Sequence, residues 1–151
     1  METTPRRSLG KLKTPVLLDT NIISFIFKKD SRALLYEPHL KGKILTTSFM
    51  CVAELFQWAY IRNWGNQRIH QMEEALKRYI IFPYDINTCR LWGEISSGCR
   101  KKGKPISAQD AWIAATARLH NLTLVTHNPD DFAAVDGLEI ISVAIDNDNL
   151  K

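Results

Sequence analysis

PVLLDTNIISFIFKKD, residues 15–30, changes its pattern once, and that change decides the fold. Val16, Leu17 and Leu18 form an unbroken apolar run between Pro15 and Asp19, the pattern of a short buried strand. Directly after Asp19 the apolar residues shift to helical spacing. The same alternation recurs downstream. KILTT (43–47) reads as a strand feeding a helix through SFMCVAELFQWAYIRN, and residues 66–79 read as a helix with Ile69, Met72, Leu76 and Tyr79 on one stripe. YIIF is a third strand closed by Pro83, followed by a helix from about Ile86 to Lys101. SAQDAWIAATA (107–117) opens another helix ending near Asn121, and LTLVT (122–126) and LEIISV (138–143) are the last two strands. Strands alternating with helices imply an α/β fold with a five-stranded, mostly parallel sheet covered by helices on both faces.

A chain of 151 residues fits one domain and can bury roughly 70% of its unfolded surface. With no repeat, linker or low-complexity tract, we divide it into a mobile basic arm (1–13), one domain (14–145) and a short tail (146–151). No apolar run approaches the ~20 residues of a membrane span. The twin arginine of METTPRRSLGKLK is followed by a segment too short and too soon charged for an export signal. Cys51, Cys89 and Cys99, odd in number and without a C-x-x-C, argue against a disulfide framework or a zinc site and suit a reducing cytoplasm. The net charge of +4 is mild, but the cations cluster in the arm and in RKKGK (100–104). Such clusters either face a polyanion or offset a helix dipole.

In parallel sheets, ligands bind beyond the carboxyl ends of the strands. Asp19 follows the first strand, and Thr126, His127, Asn128, Asp130 and Asp131 follow or close the fourth. Asp110 opens the helix leading into that strand. Asp19 alone could be an N-cap, and SAQD alone a capping box with Asp in place of Glu. Glu54 resists so local a reading: its helix is apolar on nearly every side, no base lies one turn away, and a buried carboxylate needs a partner. If Asp19, Glu54, Asp110 and Asp131 converge, each pair ~5 Å apart repels by roughly 3 kcal/mol at an effective dielectric of ~20. Such a cluster must take up protons or bind cations, and an all-oxygen ligand set favours Mg²⁺ or Mn²⁺ over zinc. That ion serves phosphodiester hydrolysis.

VLLDTN, CVAEL, ISAQDAWIAATA and LVTHNPDDF, in that order, closely resemble the PIN-domain family, particularly its VapC-like toxin ribonucleases. The resemblance runs from about Pro15 to Val143. It implies a metal-dependent endoribonuclease, with Asp19, Glu54, Asp110 and Asp131 as the acidic site and Asp19 and Asp110 as the main metal ligands. Thr126 matches a supporting hydroxyl, and Asn128 stands where many members carry Asp. The resemblance further implies an RNA substrate, a cognate antitoxin and a homodimer. Arg100, Lys101, Lys102 and Lys104 are candidates for lining the RNA path. Two other readings are open. A haloacid-dehalogenase-type phosphatase would use Asp19 as nucleophile, but that family requires D-x-D and position 21 is Asn. A PIN-like module that binds RNA or protein without cutting is favoured by Asn128. No G-x-G-x-x-G follows any strand, which removes a dinucleotide-binding domain.

Overall fold

A computed structural model describes residues 12–143. The chain order is β1 (Pro15–Leu18), α1 (Thr20–Lys28), α2 (Ala33–Leu40), β2 (Ile44–Ser48), α3 (Phe49–Ile61), α4 (Asn66–Leu76), β3 (Ile80–Phe82), α5 (Ile86–Lys101), α6 (Ala108–Leu119), β4 (Thr123–Val125), a 3₁₀ turn (Pro129–Phe132) and β5 (Ile140–Ile141). The strands form one parallel sheet in the order β3-β2-β1-β4-β5. Three successive residues of β1, Val16, Leu17 and Leu18, are all buried, so both faces of the central strand are covered.

Polar residues within the buried part of β2 are satisfied from β1 and α6. The Thr46 and Thr47 hydroxyls each donate at 2.9 Å, to the carbonyls of Val16 and Leu18. The Thr116 hydroxyl of α6 donates to Ser48 Oγ at 3.3 Å, and Ser48 also caps α3 by accepting from Met50 N–H. The start of α3 is thereby attached to the middle of α6. Helix α5 begins with a reciprocal capping box between Asp85 and Thr88 and ends on Arg100 and Lys101, whose charges suit its C-terminus. Gly103, at φ +73°, then turns the chain towards α6 in a conformation that favours glycine.

The fold matches the sequence expectation, with three local departures. Helix α2 was not foreseen, because ALLYEPHL contains Pro38 and lacks an apolar stripe; only Tyr36 in it is buried. Helix α4 stops at Leu76, and Tyr79 follows it in the turn before β3. β5 shortens to Ile140–Ile141 within the expected 138–143. Of the expected arm (1–13), all but Leu12 and Lys13 falls outside the described residues, as do Ala144, Ile145 and the tail at 146–151. Among the described residues no helix is long and apolar enough to cross a membrane.

Candidate functional site

From β1 the chain proceeds to β2 and β3 on one side, then crosses to β4 on the other. The carboxyl ends of β1 and β4 therefore form the topological switch point, where such sheets place their ligands. Asp19 stands there. Its backbone N–H donates to the Val125 carbonyl at 2.9 Å, fixing the end of β1 against β4. Its side chain, 6% exposed, has both oxygens occupied. Oδ1 accepts from Thr20 N–H at 2.8 Å, and Oδ2 accepts from the Thr126 hydroxyl at 2.7 Å. Asp19 thus caps α1 while standing at the switch point. Burial raises its pKa, bonds from Thr126 and Thr20 oppose that shift, and the charge of Asp131 adds to it.

Glu54, in the second turn of α3, has no cationic partner among the described residues. Its Oε1 is buried without a hydrogen-bond partner, and so is the Thr20 hydroxyl. Burial, then the charges of Asp19 and Asp110, push the Glu54 carboxyl up to about 7. Thr20 lowers it slightly without reaching hydrogen-bond geometry.

Asp110 lies in the first turn of α6, where its N–H donates to Ser107 Oγ at 3.1 Å, the capping half of the expected box. Burial pushes its carboxyl to about 6; Ser107 pulls the other way, and Asp19 and Asp131 add to the rise. Asp131 is exposed on the 3₁₀ turn, from which its charge reaches both Asp19 and Asp110. Four carboxylates separated along the chain therefore share one electrostatic neighbourhood, and among the described residues none of them has a basic partner within ion-pair distance. An orphaned carboxylate oxygen among further carboxylates is a donor set for a hard cation. Among the described residues, no three such side chains are arranged to enclose an ion directly.

Thr126 and Asn128 act in sequence: Asn128 N–H donates to Thr126 Oγ1 at 3.1 Å, and that hydroxyl donates onward to Asp19. The basic segment divides. Lys104 lines a groove of about 500 Å³ with Ser107, Asp110, Asp130 and Asp131. Lys102 is held by Asp136 at 2.6 Å and by the Ala134 carbonyl at 2.8 Å, so it ties α5 to the turn after Phe132. Arg100 and Lys101 are exposed on the last turn of α5.

His127 is not a free loop histidine. Its Nδ1 lies 2.6 Å from the Tyr36 hydroxyl, its ring meets Phe25 and Tyr36 edge-on, and burial lowers its pKa. Tyr36, the Thr20 hydroxyl and the groove position of Asp130 were missed in the sequence. A buried tyrosine in an unpatterned helix gives no local signal; a hydroxyl beside a strand-end aspartate was the cue available for Thr20.

Comparison with known proteins bears on the family and the fold. The family profile described as PIN domain matches residues 16–138. Ribonuclease VapC2 of Haemophilus influenzae is 31% identical over 122 residues, covering 81% of this chain and 92% of that protein. Toxin FitB of Neisseria gonorrhoeae is 31% identical over 129 residues, covering 80% and 93%. Among solved structures, VapBC2 from Rickettsia felis, bound to a DNA fragment from its promoter, superposes with a TM-score of 0.75 at 26% identity. That match covers 85% of this chain and 98% of the other.

Proposed function

The chain belongs to the PIN-domain family, and from that premise we propose that it is the ribonuclease toxin of a toxin–antitoxin pair, hydrolysing RNA internally at the Asp19 site. The observation that carries this reading is the buried, unpartnered Glu54 oxygen facing the charges of Asp19 and Asp110 at the switch point. Asp19 and Asp110 would hold Mg²⁺ or Mn²⁺, with Glu54 and Asp131 completing the acidic rim. Bound there, the ion supplies Lewis-acid activation of water and compensation of phosphate charge.

The protein's own groups supply the geometry. Thr20 N–H and the Thr126 hydroxyl fix both oxygens of Asp19, and Asn128 N–H orients Thr126. Glu54 Oε1 accepts a hydrogen bond from the attacking water, the partner its burial lacks. Lys104, beside Asp110 and Asp131, offers a cation to a phosphate oxygen of the bound strand.

The cognate antitoxin is the natural protein partner, since the similar Rickettsia felis structure is a VapBC complex. Homodimerisation is consistent with exposed Ile80, Ile81, Tyr84 and Ile86 around the β3 edge, and an RNA substrate would place the action in the cytoplasm. The test is cleavage of pooled cellular RNA with Mg²⁺ or Mn²⁺, with EDTA, and with Asp19→Asn. Loss of about 100-fold or more in the variant is expected, the scale for removing a group that stabilises transition-state charge. Undiminished cleavage by a folded Asp19→Asn protein refutes the assignment. RNA that the wild type binds but leaves intact with either metal makes the chain a binding module.

A further inference from the structure

A second cleft, of about 310 Å³, is lined by Asn21 and Asn128, two residues beyond Asp19 and Thr126 in the chain, and shares no lining residue with the Lys104 groove. Two neighbouring helices wall it. On α3, Glu54, Trp58 and Arg62 follow one another at four-residue spacing, so one helix face leads from the acidic site to an aromatic ring and then to a guanidinium. On α1, Asn21, Ser24 and Lys28 make the parallel progression. Eight residues of helix advance about 12 Å, the length of about three nucleotides of stacked strand.

Charge in the cleft is unbalanced. Lys28, Arg32 and Arg62 line it with Asp30 as the lone carboxylate. Asp30 is committed to Arg32, whose Nε and Nη2 donate to it at 3.0 and 2.7 Å. Lys28 and Arg62 have no carboxylate within ion-pair distance among the described residues. Burial lowers the Lys28 pKa, Arg62 and Arg68 add to that fall, and Asp30 offsets only part of it. His127 also lines the cleft; its Nδ1 lies 2.6 Å from the Tyr36 hydroxyl, so Nε2 is the ring nitrogen left for a ligand.

We propose that this cleft, through Lys28, Arg62, His127 and Trp58, binds the backbone phosphates and one base of the single-stranded RNA flanking the cut. It rests on the ribonuclease reading and gives the substrate a direction, away from the acidic site along α1 and α3. RNA is favoured over an acidic peptide because an aromatic ring, the half-buried Trp58 with the Arg62 guanidinium 5.9 Å from its centroid, lines the cleft among the cations.

The test is binding of a labelled mixed-sequence 12-nucleotide RNA by full-length Asp19→Asn protein across a KCl series. Lys28→Gln with Arg62→Gln, both exposed and checked by thermal melting, should weaken binding and flatten the slope of log K against log [salt] by about 1.4, about 0.7 per phosphate contact. Lys41→Gln with Lys43→Gln, exposed before the amino end of β2, should leave the slope in place. An unchanged slope in the cleft variant, or a slope that moves equally with Lys41 and Lys43, overturns the proposal. So does unaltered RNA binding with lost binding of an oligoglutamate peptide, which would assign the cleft to a protein. Cleavage by the wild type is scored separately, so the ribonuclease reading and the cleft stand or fall independently.

Discussion

Replacing Glu54 by glutamine should make the metal-free protein more stable while removing its nuclease activity. The carboxyl stands at about 7 in the folded chain against an ordinary 4.5, because burial and the charges of Asp19 and Asp110 oppose its ionisation. A carboxyl whose folded pKa is raised binds its proton more tightly folded than unfolded. Its unfavourable contribution is therefore absent below about 4.5, grows as pH rises, and is complete above about 7. The full difference corresponds to about 3 kcal/mol at 1.36 kcal/mol per pH unit. Glu54 is only half-buried, and solvent screening reduces the expected gain to about 1–2 kcal/mol. The assay is urea unfolding in EDTA of wild type and Glu54→Gln at pH 5 and pH 8. Glutamine should gain most of its advantage between those two values. Equal differences at both pH values, or a variant less stable at pH 8, would refute the claim that Glu54 is held against electrostatic strain. Millimolar Mg²⁺ should then stabilise the wild type more than the variant, by mass action on the folded state.

Two further outcomes separate support of the site from support of the fold. Thr126→Val removes the 2.7 Å bond to Asp19 and should cost about 10–100-fold in metal affinity or activity, read from Mn²⁺ titrations of cleavage; an unchanged titration would show that Asp19 holds its orientation without the hydroxyl. Asp85→Ala removes the capping box of α5, away from the carboxylates, and should cost about 1 kcal/mol in urea unfolding with cleavage per folded molecule unchanged.

The legible parts of this protein are those with short-range physical causes. Helix α5, read as running from about Ile86 to Lys101 after Pro83, lies where expected, and the structure adds the Asp85–Thr88 box that starts it. β1 shows itself because three buried residues in succession need two covered faces. Glu54 stood out by lacking any helix-borne partner, and the structure leaves its Oε1 without one. What escaped depends on distance in the chain. Tyr36 meets His127 across 91 residues, and nothing in ALLYEPHL announces the contact. Lys102 looked like its basic neighbours until the fold placed Asp136 beside it. The cations of α1 and α3, Lys28 and Arg62, are dispersed in sequence and form a cleft only when the helices pack. The RKKGK cluster drew attention first because its charges are contiguous.

The bond between Asp19 and Thr126 spans 107 residues. Chains emerge from the ribosome N-terminus first, at about 5–20 residues per second. The Asp19 arrangement therefore forms only after β4 has been made and has paired with β1. A fragment ending before Leu122 carries Asp19, Glu54 and Asp110 yet lacks the strand that orients the first of them.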